Sequence, residues 1–83
     1  MYTVYILYSQ TLDRYYVGQS EDLDKRLLSH FSGISPYTSI AKDWQLVYKE
    51  RFNTRNEAIR RENEIKRKKS RKYIVWLIQN KSM

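Results

Sequence analysis

No cysteine stands anywhere in the 83-residue chain, so its fold has to be held without covalent cross-links. That absence removes disulfide staples, thiolate zinc sites, iron–sulfur clusters and a cysteine nucleophile in one step, and the single His30 cannot build a histidine-rich metal site. A chain of this length buries only roughly 60% of its unfolded surface, which leaves a thin core and no room for a large cofactor. One domain over residues 1–83 is therefore expected. Twelve aromatic residues, eight of them tyrosine, supply the core material and argue against disorder even with 30% charged residues.

The apolar runs Val4 to Tyr8 and Ile74 to Ile78 fall far short of the ~18 residues that cross a bilayer, so no membrane association is expected. The opening residues Tyr2, Thr3, Val4 and Tyr5 lack the basic region and small-residue cleavage site of a signal peptide, and a cytoplasmic location is expected. Charge is uneven. Residues 1–41 carry three basic and four acidic side chains, residues 42–83 thirteen and five. Within the second half, Arg60 to Lys72 holds eight Lys or Arg against two Glu, a density that suits a polyanion such as nucleic acid. A solvated helical face is the plainer explanation of such a run. A membrane-surface helix is not, because Ile65 is the segment's only large apolar residue.

Residues 3–8 and 15–19, rich in Val, Ile, Tyr and Thr around a polar turn, predict two antiparallel strands. Ser20 or Asp22 can cap a helix to about Phe31, with Leu23, Leu27, Leu28 and Phe31 as its apolar stripe and Gly33 as its left-handed terminator. Residues 32–43 read as loop. A third strand is expected over Trp44–Phe52. Thr54 with Glu57 forms a capping box that opens a second helix through about Lys68, and Ser70 can cap a third with Ile74, Leu77 and Ile78 on its packing face. The order β-β-α-β-α-α gives an α+β class: a small three-stranded antiparallel sheet flanked by helices.

A few residues fit poorly with a purely structural role. With Ala58 at zero on a helical wheel, Ile65 falls at about −20°, Glu62 at about +40° and Ile59 at about +100°. Glu62 thus falls within the apolar stripe, where a carboxylate needs a counter-charge or a metal; an ion pair is the structural explanation. Arg26 and His30, four apart, border the stripe of the first helix together. Each alone reads as a snorkelling or solvated side chain. Side by side they are what a scissile phosphate requires. Period-two alternation puts Tyr16 and Gly18 on one face of the second strand, and a glycine there marks a close approach.

These elements together resemble the GIY-YIG nuclease superfamily in its small stand-alone branch, similar to the amino-terminal nuclease domain of the excision-repair nuclease. The first signature is Thr3-Val4-Tyr5, the second Tyr16-Val17-Gly18. Asp22 to Leu27 resembles the helix with the family's arginine, Arg26, followed by His30. Glu57 to Lys66 resembles the helix with the metal-binding glutamate, which maps to Glu62. Thr3 replaces the family's first glycine, Gln19 stands where a lysine often follows, and an asparagine of many relatives has no counterpart near Tyr73.

The resemblance implies an endonuclease, with DNA ahead of RNA as substrate and a role in DNA repair. One divalent cation, Mg²⁺ or Mn²⁺, would sit on Glu62, Arg26 on the phosphate, and Tyr16 with Tyr5 would position or deprotonate the attacking water. Which tyrosine, or His30, takes the proton stays open, and a tyrosine base would need its pKa of ~10 tuned downward. Lys66, Lys68, Lys69, Arg71 and Lys72 are the expected phosphate contacts, and a partner protein would supply target choice. The alternatives are a non-catalytic nucleic-acid-binding module of the same fold and a protein-interaction domain with incidental charge.

Overall fold

The computed structural model describes residues 1–32 and 39–80. Six elements follow in the expected order: β1 (Tyr2–Ser9), β2 (Arg14–Ser20), α1 (Leu23–Phe31), β3 (Trp44–Phe52), α2 (Arg55–Lys68) and α3 (Arg71–Asn80). The strands form an antiparallel sheet in the order β2-β1-β3. The unbroken apolar run explains the central place of β1. Thr3 to Leu7 are all buried, which only a strand covered on both faces can manage.

Each face of β1 feeds its own core. Val4 and Ile6 pack with Val17, Tyr48 and, from α2 and α3, Ala58, Ile65 and Leu77. Tyr5 and Leu7 pack with Ala41 and Trp44, bordered by Leu12, Tyr16, Leu23, Leu27 and Leu46. The β1–β3 register slips between Ile6 and Leu7, which face Tyr48 and Leu46 and leave Val47 as the extra residue. This bulge changes the phase of β3, so that Trp44 and Leu46 serve one core and Tyr48 the other.

The capping expectations hold. Asp22 caps α1 by accepting from the Lys25 amide at 3.2 Å. Thr54 and Glu57 exchange both bonds of a capping box, and Ser70 Oγ accepts from the Tyr73 amide at 3.2 Å. Gly33, the expected terminator of α1, lies outside the described residues. Of the preceding loop, Asp43 accepts from Ser9 Oγ at 2.6 Å and from the amide and hydroxyl of Thr11, both at 2.8 Å. Those bonds fasten the β1–β2 turn and hold the Asp43 carboxyl down at about 2.

Two helical stripes are narrower than expected. On α1, Leu28 and Phe31 are exposed, while Leu23 and Leu27 pack against the core and His30 is the buried residue. Taking Leu23 as zero, Arg26, Leu27 and His30 fall within about 60° of it, but Phe31 and Leu28 lie about 80° and 140° away. On α2, Ala58 and Ile65 are buried, Ile59 is exposed, and Glu62 borders the stripe instead of centring it. No helix among the described residues is long and apolar enough to cross a membrane. Ile65 links α2 to the sheet, so Ile65→Ala is expected to lower unfolding free energy by about 2–5 kcal/mol in urea denaturation. A change under about 1 kcal/mol would contradict this packing.

Candidate active site

The site begins with a missing side chain. Strand pairing sets Tyr5 opposite Gly18, and a Cβ at Gly18 would stand 2.7 Å from Tyr5 Oη, 2.8 Å from Tyr5 Cζ and 3.0 Å from Tyr16 Cε1. The glycine is therefore required for space, which the Tyr5 ring tip occupies. From α1, one turn apart, Arg26 and His30 meet this ring. Tyr5 Oη and His30 Nε2 are 2.9 Å apart, and the imidazole stands edge-on to both tyrosines, with centroids at 5.8 Å from Tyr5 and 5.0 Å from Tyr16. The two phenol rings are 6.3 Å apart. Arg26 engages both, Tyr5 more strongly than Tyr16, and these hydrogen bonds raise its already high pKa.

Burial pushes the Tyr5 phenol up to about 12; Arg26 opposes this through its hydrogen bond, while negative charge on Tyr16 and Glu62 adds to it. Burial, then the Arg26 charge, lowers the pKa of His30. At neutral pH the inner pair is thus a protonated phenol and an uncharged imidazole. Tyr5 is tuned away from the downward shift that a tyrosine base needs. Tyr5 and His30 are fully buried, whereas Tyr16, Arg26 and Glu62 keep contact with solvent.

Glu62 approaches from α2, and its charge registers at Tyr5. Its side chain is 17% exposed and accepts from Lys66 Nζ at 2.6 Å. The ion pair that an inward glutamate calls for is present. Its lysine is itself half-exposed, so that partner can leave without stranding a buried cation. Of the five expected phosphate-contacting cations, Lys66, Lys69 and Arg71 line a cleft of about 660 Å³ with Arg14, Tyr15 and Tyr16. Arg71 is partly committed: it pairs with Asp13, donates to the Asp13 carbonyl at 3.1 Å and lies over the Tyr15 ring at 5.3 Å. Lys68 lies over the Tyr73 ring at 5.2 Å, and Lys72 is exposed.

The family profile described as the GIY-YIG catalytic domain matches residues 1–74. The chain belongs to the GIY-YIG family. It is 46% identical over 52 residues to a UPF0213 protein of Staphylococcus saprophyticus and 40% identical over 52 residues to one of Staphylococcus epidermidis. Each match takes in 61% of this chain and spans 63% of the relative's length. Among solved structures it is similar to the solution NMR structure of a UPF0213 protein of Bacillus halodurans, at 33% identity and a TM-score of 0.60, covering 95% of this chain and 84% of that one. In this GIY-YIG chain both signatures lie on adjacent strands, and the register that sets Tyr5 against Gly18 joins them.

Arg61 is a further structural residue of this GIY-YIG chain. Its guanidinium donates to Glu50 at 3.2 Å and to Tyr73 Oη at 3.0 Å and pairs with Glu64, tying β3, α2 and α3 together. The signal was on the same wheel that singled out Glu62, since Arg61 falls at about −60° from Ala58 on the opposite border.

Gly18→Ala forces the Tyr5 ring to move, and a loss of about 1–3 kcal/mol in chemical denaturation is expected; a neutral result would contradict the close approach. Because the folded pKa of His30 lies below the ordinary 6.5, its contribution is complete above pH 6.5 and is lost as pH falls below it, where the unfolded chain binds the proton first. His30→Gln, which does not titrate, is expected to flatten the dependence of Tm on pH below the ordinary histidine pKa of about 6.5. An unaltered slope would show that His30 is not held neutral.

Proposed function

We propose that the chain is a metal-dependent endonuclease that hydrolyses phosphodiester bonds in nucleic acid. The observation that carries this reading is the convergence of Tyr16, Arg26 and Glu62, the three solvent-contacting groups, around the buried Tyr5–His30 pair in a GIY-YIG chain.

Exposure divides the labour. Tyr16 lines the cleft and meets water, so it orients the attacking water through its hydroxyl. Arg26, fixed between the two phenols, neutralises charge developing on the phosphoryl oxygens. Tyr5 and His30, which water does not reach, act as positioning residues that hold Arg26 and Tyr16 in register. Glu62 fits a single Mg²⁺ or Mn²⁺: its charge reaches Tyr5, and a lone carboxylate suits an ion that keeps several waters and takes other ligands from the substrate. Such an ion, held by Glu62, would supply Lewis-acid polarisation of the phosphate and charge stabilisation for the leaving 3′ oxygen. Lys66, Lys69 and Arg14 border the cleft where the substrate backbone would run. DNA is the first substrate to test, with RNA beside it.

The test is cleavage of plasmid, branched DNA and structured RNA with Mg²⁺ or Mn²⁺, comparing wild type with Glu62→Gln. Wild type is expected to cleave only with the metal, and Glu62→Gln to lose about a hundredfold or more in rate while still binding the substrate. Cleavage that survives the substitution would remove Glu62 from the mechanism. Salt-sensitive binding without turnover in either protein would favour a non-catalytic binding module.

A further inference from the structure

The solvent-facing side of α3 carries a large aromatic surface that the catalytic reading leaves unused. Trp76 is 52% exposed, whereas Trp44 is 5% exposed in the core. Its indole lies nearly parallel to the Tyr73 ring, at 17° with centroids 6.2 Å apart. Tyr73 is fixed from behind by the Arg61 bond to its hydroxyl, and Lys68 Nζ lies over its ring at 5.2 Å. Lys72, one helical turn before Trp76, shares its face and is exposed. Glu64 and Glu50 are carboxylates of this neighbourhood, both neutralised by Arg61, and the first turn of α3 holds none. Trp76 also lies beyond the residues 1–74 that the family profile matches.

Charge selects the occupant. A second copy docked on this face by two-fold symmetry would bring Lys72 and Lys68 against the same basic patch of its partner, a repulsive arrangement. A nucleobase meets the opposite conditions. It stacks on a flat indole whatever its identity, and the flanking ammonium groups receive its phosphates. Only a base free of its partner can present a whole face to the ring. Resting on the nucleic-acid reading above, we propose that Trp76, backed by Tyr73 and flanked by Lys68 and Lys72, is a stacking platform for an unpaired base, so that the preferred substrates carry unpaired nucleotides.

The experiment titrates the full chain against end-labelled twelve-nucleotide oligo(dT), oligo(U) and a twelve-base-pair duplex at fixed salt, following fluorescence anisotropy of the label, with tryptophan emission recorded for the wild type and Trp76→Ala and Trp76→Phe alongside. Both single strands are expected to quench the indole emission and to bind Trp76→Ala about tenfold more weakly, with Trp76→Phe restoring most of the affinity and duplex binding unchanged. Equal affinity of wild type and Trp76→Ala for the single strands would overturn the platform while leaving the nucleic-acid reading intact. So would an equal loss on duplex and single strand, or a concentration-dependent dimer that Trp76→Ala abolishes. Wild type that binds none of the three at low salt would overturn both.

Discussion

Tyr5 can reach His30 only because the residue facing it across the β1–β2 ladder has no side chain. The space a Cβ would take at Gly18 is filled by the tip of the Tyr5 ring, and from there its hydroxyl meets the imidazole at 2.9 Å. Everything around the site depends on that contact. It draws α1 onto the sheet with His30 as its buried residue, which turns Leu28 and Phe31 outward and brings Arg26 against both phenols.

The same contact sorts the polar residues by exposure. Buried groups are chosen in the forms that cost least away from water, a protonated phenol and a neutral imidazole, and the burial that raises Tyr5 also lowers His30. The charged groups, Arg26 and Glu62, stay at the boundary with solvent. A central strand buried on both faces is what permits this layering, since one face packs against α2 and α3 while the other, with Tyr5, packs against α1.

Much of this was legible in the chain. The order of elements and the caps at Asp22, Thr54 and Ser70 follow from local patterns, because spacing along a helix or strand decides which side chains share a face, whereas the gathering of Tyr5, Tyr16, Arg26, His30 and Glu62 into one site came from the GIY-YIG resemblance. The widths of the stripes were not legible. Whether Leu28, Phe31 or Ile59 is covered depends on how far the neighbouring sheet extends, which no local pattern records. The bulge at Val47 was hidden for the same reason, since Trp44, Leu46 and Tyr48 read as one alternating face until pairing with β1 splits them. Arg61 was overlooked because its partners, Glu50 and Tyr73, come from distant parts of the chain. The direction of the Tyr5 shift likewise required knowing that burial outweighs the cation beside it.

The central claim is that the two signature tyrosines have different duties, Tyr16 handling water at the cleft and Tyr5 holding the frame behind it. Single-turnover cleavage by Tyr16→Phe and Tyr5→Phe, with metal and substrate saturating, tests it most directly. Tyr16→Phe is expected to slow the chemical step by about a hundredfold or more with its thermal stability unchanged. Tyr5→Phe, whose ring still fills the space over Gly18, is expected to lose less in rate and to show its main effect in stability. A Tyr16→Phe protein that cleaves at the wild-type rate would contradict the account.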